Sequence, residues 1–116
     1  MDSTLPLEES AVNAAALVGH PTISGTNVLL LDCREPDEHA TARIEGARLI
    51  PMRDIPERLA ELEPWRTKPI VVHCHHGMRS LRVAQFLRDN GFDRAQSMRG
   101  GIEAWSLEVD PGVPRY

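Results

Sequence analysis

A short run of β-branched residues, Ile70-Val71-Val72, passes through His73 into a cysteine, Cys74, and six residues later the chain has become a helix in pattern. Apolar at every position, the run suits a strand buried on both faces, as parallel strands are. Beyond Ser80, Val83, Ala84, Phe86 and Leu87 fill one arc of a 3.6-residue period, and Arg82, Gln85, Arg88 and Asp89 fill the other. Strand, short loop and amphipathic helix together demand a sheet covered by helices. The loop also carries chemistry. A cysteine at the mouth of a helix faces unpaired backbone N–H groups and the positive end of the helix dipole. Both favour thiolate over thiol, and the thiolate is the nucleophile. The same N–H groups can cradle an anion, and Arg79 adds a forked, fixed positive charge. A nucleophilic sulfur and an anion seat within one turn fit attack on an anionic substrate.

The rest of the chain supplies the other layers. Leu5 to Gly19 reads as a short helix, capped by Ser10, with Val12, Ala15 and Ala16 on one weak apolar face and Gly19 and Pro21 as the stop. Thr22 to Asn27 reads as a polar turn. Val28-Leu29-Leu30-Leu31 is the most apolar strand, ending at Asp32. Arg34 to Ala40 reads as a short helix opened by Pro36. Ala47 to Ile50 reads as a brief strand stopped by Pro51. Asp54 and Glu57 have capping-box spacing before a helix with Ile55, Leu59 and Leu62 on one face, ended by Pro64. The helix after Ser80 runs to Asn90 and closes at Gly91. Ala95 to Met98 is a last strand, and Gly100-Gly101 opens a final helix through Trp105, which reads as core. Alternating strands and helices imply an α/β sandwich around a mainly parallel sheet. Ligands in such folds sit beyond the carboxyl ends of strands, where Cys74 and Asp32-Cys33-Arg34 both lie.

With 116 residues, 1–116 reads as one domain, its core at about 5–106 and a short tail at 107–116. The formal net charge of −4 argues against nucleic acid or an anionic membrane as partner. Charge is unevenly spread, however: Ile70 to Arg99 holds five arginines against two aspartates, and Asp32 to Glu63 nine acids against five arginines. The basic half is the one that bears the loop, which suits a small anionic substrate, although plain surface charge accounts for the same counts. Met1 to Thr4 lacks the positive start of a signal peptide, and no apolar stretch approaches membrane-spanning length. Two cysteines, with Cys74 a free thiol, fit a cytoplasmic setting.

Four blocks in order carry a family resemblance: Asp32-Cys33-Arg34-Glu35-Pro36-Asp37-Glu38-His39, Ile44-Glu45-Gly46-Ala47, Cys74-His75-His76-Gly77-Met78-Arg79-Ser80, and Gly100-Gly101-Ile102-Glu103-Ala104-Trp105. From about Val28 to Trp105 the chain resembles the rhodanese family. The resemblance implies a three-layer rhodanese-like α/β sandwich and a sulfurtransferase working through a cysteine persulfide, with no other cofactor. It implies that Cys74 takes sulfur from thiosulfate or a similar small anionic donor and passes it to a thiol, cyanide or a protein acceptor. His75, His76, Gly77 and Met78 would surround the sulfur with backbone amides, Arg79 would bind the anion, and Ser80 would order the following helix. Asp32 and Arg34 would brace the site. Four residues separate Cys74 from Arg79, where cysteine-dependent phosphatases have five. That disfavours phosphatase or arsenate-reductase chemistry. A non-catalytic binding module is the other rival, and such modules commonly lack the cysteine this chain keeps.

Single residues carry rival readings too. His73, Cys74, His75 and His76 invite a metal, but strand alternation throws such side chains to opposite faces, so no metal is expected. Cys33 is a small packed side chain or, less favoured, a thiol that resolves the persulfide. Met78 and Leu81 would form an apolar lip for a protein acceptor, or are ordinary surface residues.

Overall fold

The computed structural model describes residues 6–19 and 27–116. Five parallel strands form one sheet in the order β1-β5-β4-β2-β3: β1 Glu8–Glu9, β2 Leu29–Asp32, β3 Arg48–Leu49, β4 Ile70–His73 and β5 Ala95–Met98. The helices are α1 Ala11–Val18, α2 Pro36–Thr41, α3 Met78–Asp89 and α4 Gly101–Glu108. Because side chains alternate across a strand, each central strand feeds two cores. Leu29, Leu31, Ile70 and Val72 pack with Val83, Ala84 and Leu87 of α3. Leu30, Val71 and Met98 pack on the other face with Ala14 and Val18 of α1 and Ile102 and Trp105 of α4. The expected α/β sandwich with a parallel sheet is therefore the fold, and Trp105 lies in its core.

Three local readings change. The segment read as one helix from Leu5 is first a two-residue edge strand, with Glu8 aligned to Ser97 and Glu9 to Met98; the helix starts at Ala11 behind the Ser10 cap. A strand this short has no alternation to read. The helix buries Ala11, Ala14, Ala15 and Val18 and leaves Val12 52% exposed, because small alanines allow close approach to α4. The Asp54–Glu57 capping box does not form: Met52–Asp54 and Pro56–Trp65 are 3-10 turns, with Arg58 outside helical φ/ψ. Pro64, inside the segment, lacks the N–H group an α-helix would need there. A capping box forms instead at α2, where the Glu35 N–H donates to Glu38 Oε1 at 2.9 Å. The polar turn expected over Thr22 to Asn27 lies, up to residue 26, outside the described residues.

Register brings the carboxyl ends of β2 and β4 together: Leu31 pairs with Val72 and Asp32 with His73, and the Cys33 N–H donates to His73 O at 3.1 Å. A buried ionic joint closes this edge. Asp32 accepts from Arg34 Nε at 2.9 Å and from Nη2 at 2.7 Å, and His39 Nδ1 lies 2.8 Å from its second oxygen. Burial alone would raise the Asp32 carboxyl, but the Arg34 guanidinium and the nearby histidines hold it far below the usual carboxylate range. His73, fully buried, has its Nε2 3.9 Å from Asp32 Oδ2, and burial pushes it down to about 4.

The opposite wall of the same edge is the turn into α4. Gly101 has φ +60°, and a Cβ there would stand 2.4 Å from the carbonyl oxygens of Cys74 and His75. Those carbonyls accept from the N–H groups of Ile102 at 2.8 Å and Glu103 at 3.2 Å, so α4 seats directly on the loop after β4.

Two outcomes follow for stability. Gly101→Ala meets backbone that cannot yield and should cost about 3 kcal/mol or more, with Gly112→Ala, facing only a side chain, as a near-neutral control in denaturant unfolding. For pH, the unfolded chain protonates His73 near 6.5 and the folded protein only near 4. The unfolded state thus binds more protons between these values, and stability falls as pH falls through them. The loss due to this residue from pH 6.5 to 5 is about 1.5 kcal/mol, and urea titrations of wild type and His73→Gln at both pH values should show the drop shrinking by that amount in the variant.

Candidate active site

β4 delivers Cys74 to the carboxyl edge of the sheet, and the chain must then reverse into α3. It does so through Gly77, whose φ of +109° is open to glycine and whose missing Cβ would lie 3.2 Å from the Gly100 N. The turn points backbone donors inward at the sulfur. The Gly77 N–H donates to Cys74 Sγ at 3.0 Å, the Ser80 N–H lies 3.4 Å from it, and Ser80 Oγ 3.5 Å from it. Cys74 is buried. Two backbone N–H groups converging on one sulfur form the arrangement that a negative charge there requires.

Ser80 lies inside the first turn of α3. Its hydroxyl donates to Gly77 O at 3.3 Å and meets Ser97 Oγ of β5 at 2.7 Å. The two serines tie loop, helix and sheet together beneath the sulfur. Ser97 is absent from the sequence reading, although two polar residues, Gln96 and Ser97, in a fully buried strand were the available signal.

Arg79 is brought to the loop but faces α2. Its Nη1 and Nη2 donate to Glu38 Oε1 and Oε2 at 2.7 and 2.9 Å, a bidentate pair that leaves the guanidinium plane engaged. The pair, with lesser help from the Glu35 N–H, holds the Glu38 carboxyl down to about 2 against the opposing effect of partial burial, and raises Arg79 further. Glu38 was legible only as part of the first motif block. Asp32 and Arg34 lie completely buried behind this pair, linked to it through α2, because Arg34 Nη2 also donates to Ala42 O at 2.6 Å.

His75 and His76 stack on each other with ring centroids 3.9 Å apart, and Tyr116 stacks on His75 at 3.9 Å and 10°. With Glu103 the two histidines place three ligand atoms within 4.8 Å of one another, the only such group of three among the described residues. The two rings lie 23° from parallel, and Glu103 is engaged by Arg115 at 2.6 Å. Met78 is 71% exposed and Leu81 half-buried. Cys33 donates its thiol to His73 O at 3.5 Å; burial, then the neighbouring Cys74 and Asp32, push it well above the ordinary thiol range. That is the environment of a packed thiol and opposes attack on a persulfide. A cleft of about 210 Å³ lined by Met52, Ile55, Pro56, Arg82, Val83 and Phe86 includes none of the loop residues.

Known proteins share this frame. A sulfurtransferase of Allochromatium vinosum is 38% identical over 87 residues, covering 75% of this chain and 79% of that protein. The chloroplastic Rhodanese-like/PpiC domain-containing protein 12 of Arabidopsis thaliana is 38% identical over 91 residues, but there the match spans only 30% of the longer protein. Among solved structures, a rhodanese-related protein from Thermoplasma volcanium superimposes with a TM-score of 0.75 at 28% identity, covering 94% of this chain and 98% of that one. The sequence pattern of the Rhodanese-like domain matches residues 16–108, which takes in β2 through α4 and the whole Cys74 loop. On that match, and on the fold that carries it, the chain belongs to the rhodanese-like domain family.

Proposed function

We propose that the protein is a sulfurtransferase that moves sulfane sulfur from thiosulfate or a similar small anionic donor through a persulfide on Cys74. The observation that carries this reading is the pair of loop N–H groups directed at a buried sulfur, at 3.0 and 3.4 Å. The name and the 79% coverage of the Allochromatium vinosum relative support the same class.

In the first half-reaction the Cys74 thiolate attacks the outer sulfur of thiosulfate. A new S–S bond forms, the bond to the sulfonate sulfur breaks, and sulfite leaves with the electron pair. The persulfide keeps the negative charge that the thiolate brought, so one ring of donors serves both states. In the second half-reaction cyanide, a thiol or a protein acceptor attacks the terminal sulfur and the Cys74 thiolate is restored. Two half-reactions through one covalent species give ping-pong kinetics. The covalent persulfide removes the need for a further cofactor.

The amides of the 75–78 turn and of Ser80 form the anion seat. Arg79, committed to Glu38, anchors the loop to α2 and adds positive potential without leaving the pair. Asp32 and Arg34 brace that anchor from below. The exposed Met78 is the side chain a protein acceptor would meet first. A reducing compartment such as the cytoplasm keeps both cysteines, free in the structure, as thiols.

Intact mass after thiosulfate treatment without reductant tests the reading. Wild type should gain one sulfur atom and lose it on adding cyanide, and Cys74→Ser should gain none. Sulfur retained by Cys74→Ser, or no gain on wild type with thiosulfate, mercaptopyruvate or polysulfide, contradicts it. In steady-state assays, Arg79→Ala removes the tie between the loop and Glu38 together with its positive charge, and should lower kcat/KM for thiosulfate by about 10- to 100-fold.

A further inference from the structure

After α4 the chain turns back toward the loop and is fastened at three points. Val113 is buried in the Trp105 cluster, and its N–H donates to Asp110 O at 3.1 Å. Arg115 binds Glu103, whose own N–H holds the His75 carbonyl. Tyr116 then reaches the site itself. Its hydroxyl accepts from Arg34 Nη1 at 2.8 Å and donates to Glu38 Oε2 at 2.9 Å, the same oxygen that takes Arg79 Nη2. Its ring lies 10° from parallel with His75, the residue next to the nucleophile.

Arg34 shows why this contact is more than surface packing. A guanidinium has five N–H donors. Here Nε and Nη2 serve Asp32, Nη2 also serves Ala42 O, and Nη1 serves Glu38 O at 3.4 Å and the Tyr116 hydroxyl. Without Tyr116 the buried cation keeps only the long 3.4 Å contact for Nη1. One phenol thus completes the buried pair at the end of β2, holds the carboxylate that anchors Arg79, and clamps the ring beside Cys74.

We propose that Tyr116 is a positioning residue of the Cys74 loop: by holding the Glu38 carboxylate and the His75 ring, it fixes the backbone donors of residues 75–80 around Sγ and so sets how well the loop receives an anionic sulfur donor. For its effect on catalysis this rests on the sulfurtransferase reading; for the order of the loop it does not. Tyr116→Phe keeps the stack and removes both hydroxyl contacts, whereas Tyr116→Ala removes the stack as well.

The test combines amide hydrogen exchange with thiosulfate kinetics on the full chain. In Tyr116→Ala the Gly77 and Ser80 amides should exchange about tenfold faster with the β2 and β5 amides unchanged, and KM for thiosulfate should rise about tenfold at constant kcat. Tyr116→Phe should give about a threefold rise. A purely structural role would instead lower kcat with the folded fraction and leave KM alone, and that result overturns the proposal. So does wild-type exchange at Gly77 and Ser80 in Tyr116→Ala. Faster exchange in a protein whose wild type takes up no sulfur would uphold the positioning role while refuting sulfur transfer.

Discussion

The Asp32–Arg34 pair is the fixed point from which the site is built. Both side chains are fully buried, and taking two charges out of water is costly unless each finds its partners. Here the requirement is met largely by local geometry and completed from afar: the carboxylate at the end of β2 accepts the guanidinium two residues on, and the remaining donors of that guanidinium reach the carbonyls of Glu38 and Ala42 at α2 and the Tyr116 hydroxyl. The pair therefore determines where α2 sits. Removing either partner would leave the other charged and unpaired, a loss of about 3–5 kcal/mol in proteins generally. From α2, Glu38 then reaches across 41 residues of sequence to Arg79 and sets the far end of the Cys74 loop.

The Cys74 sulfur is thus held from two directions with different physics. From below, hydrogen bonds of neutral groups form the cradle: the Gly77 and Ser80 amides, the Ser80 and Ser97 hydroxyls, and the α4 amides on the carbonyls of Cys74 and His75. From the side, ion pairs fix the loop's end without placing a free cation on the sulfur. In the proposed sulfur transfer this division would let the loop exchange a thiolate for a persulfide at constant charge, with donors already in place and little reorganisation.

What was legible in the sequence follows the range of the interactions. The run Ile70 to Val72, the 3.6-residue arc through Leu87 and the loop between them are local patterns, and the structure reproduces them. The edge strand Glu8–Glu9 is defined only by its pairing with β5, and no alternation within two residues announces it. Capping-box spacing occurs at both Asp54–Glu57 and Glu35–Glu38, and spacing alone does not decide which one forms: both segments carry a proline in the first turn, where it is tolerated, but the second breaks from helical φ/ψ at Arg58 and has Pro64 inside it. The partners of Arg79 and Arg34 were beyond reach for a different reason. Glu38 and Tyr116 meet them only after the sheet and the segment following α4 have folded together, so the sequence identifies the charged residues but not which charges cancel.

The most direct test of the account is a high-resolution crystal structure of the protein after sulfur loading. The account predicts one extra sulfur bonded to Cys74 Sγ, inside the loop, within hydrogen-bond reach of backbone N–H groups of residues 75–80, with the Arg79–Glu38 pair intact. A sulfur carried on Cys33, or a Cys74 persulfide turned away from those amides, would contradict it.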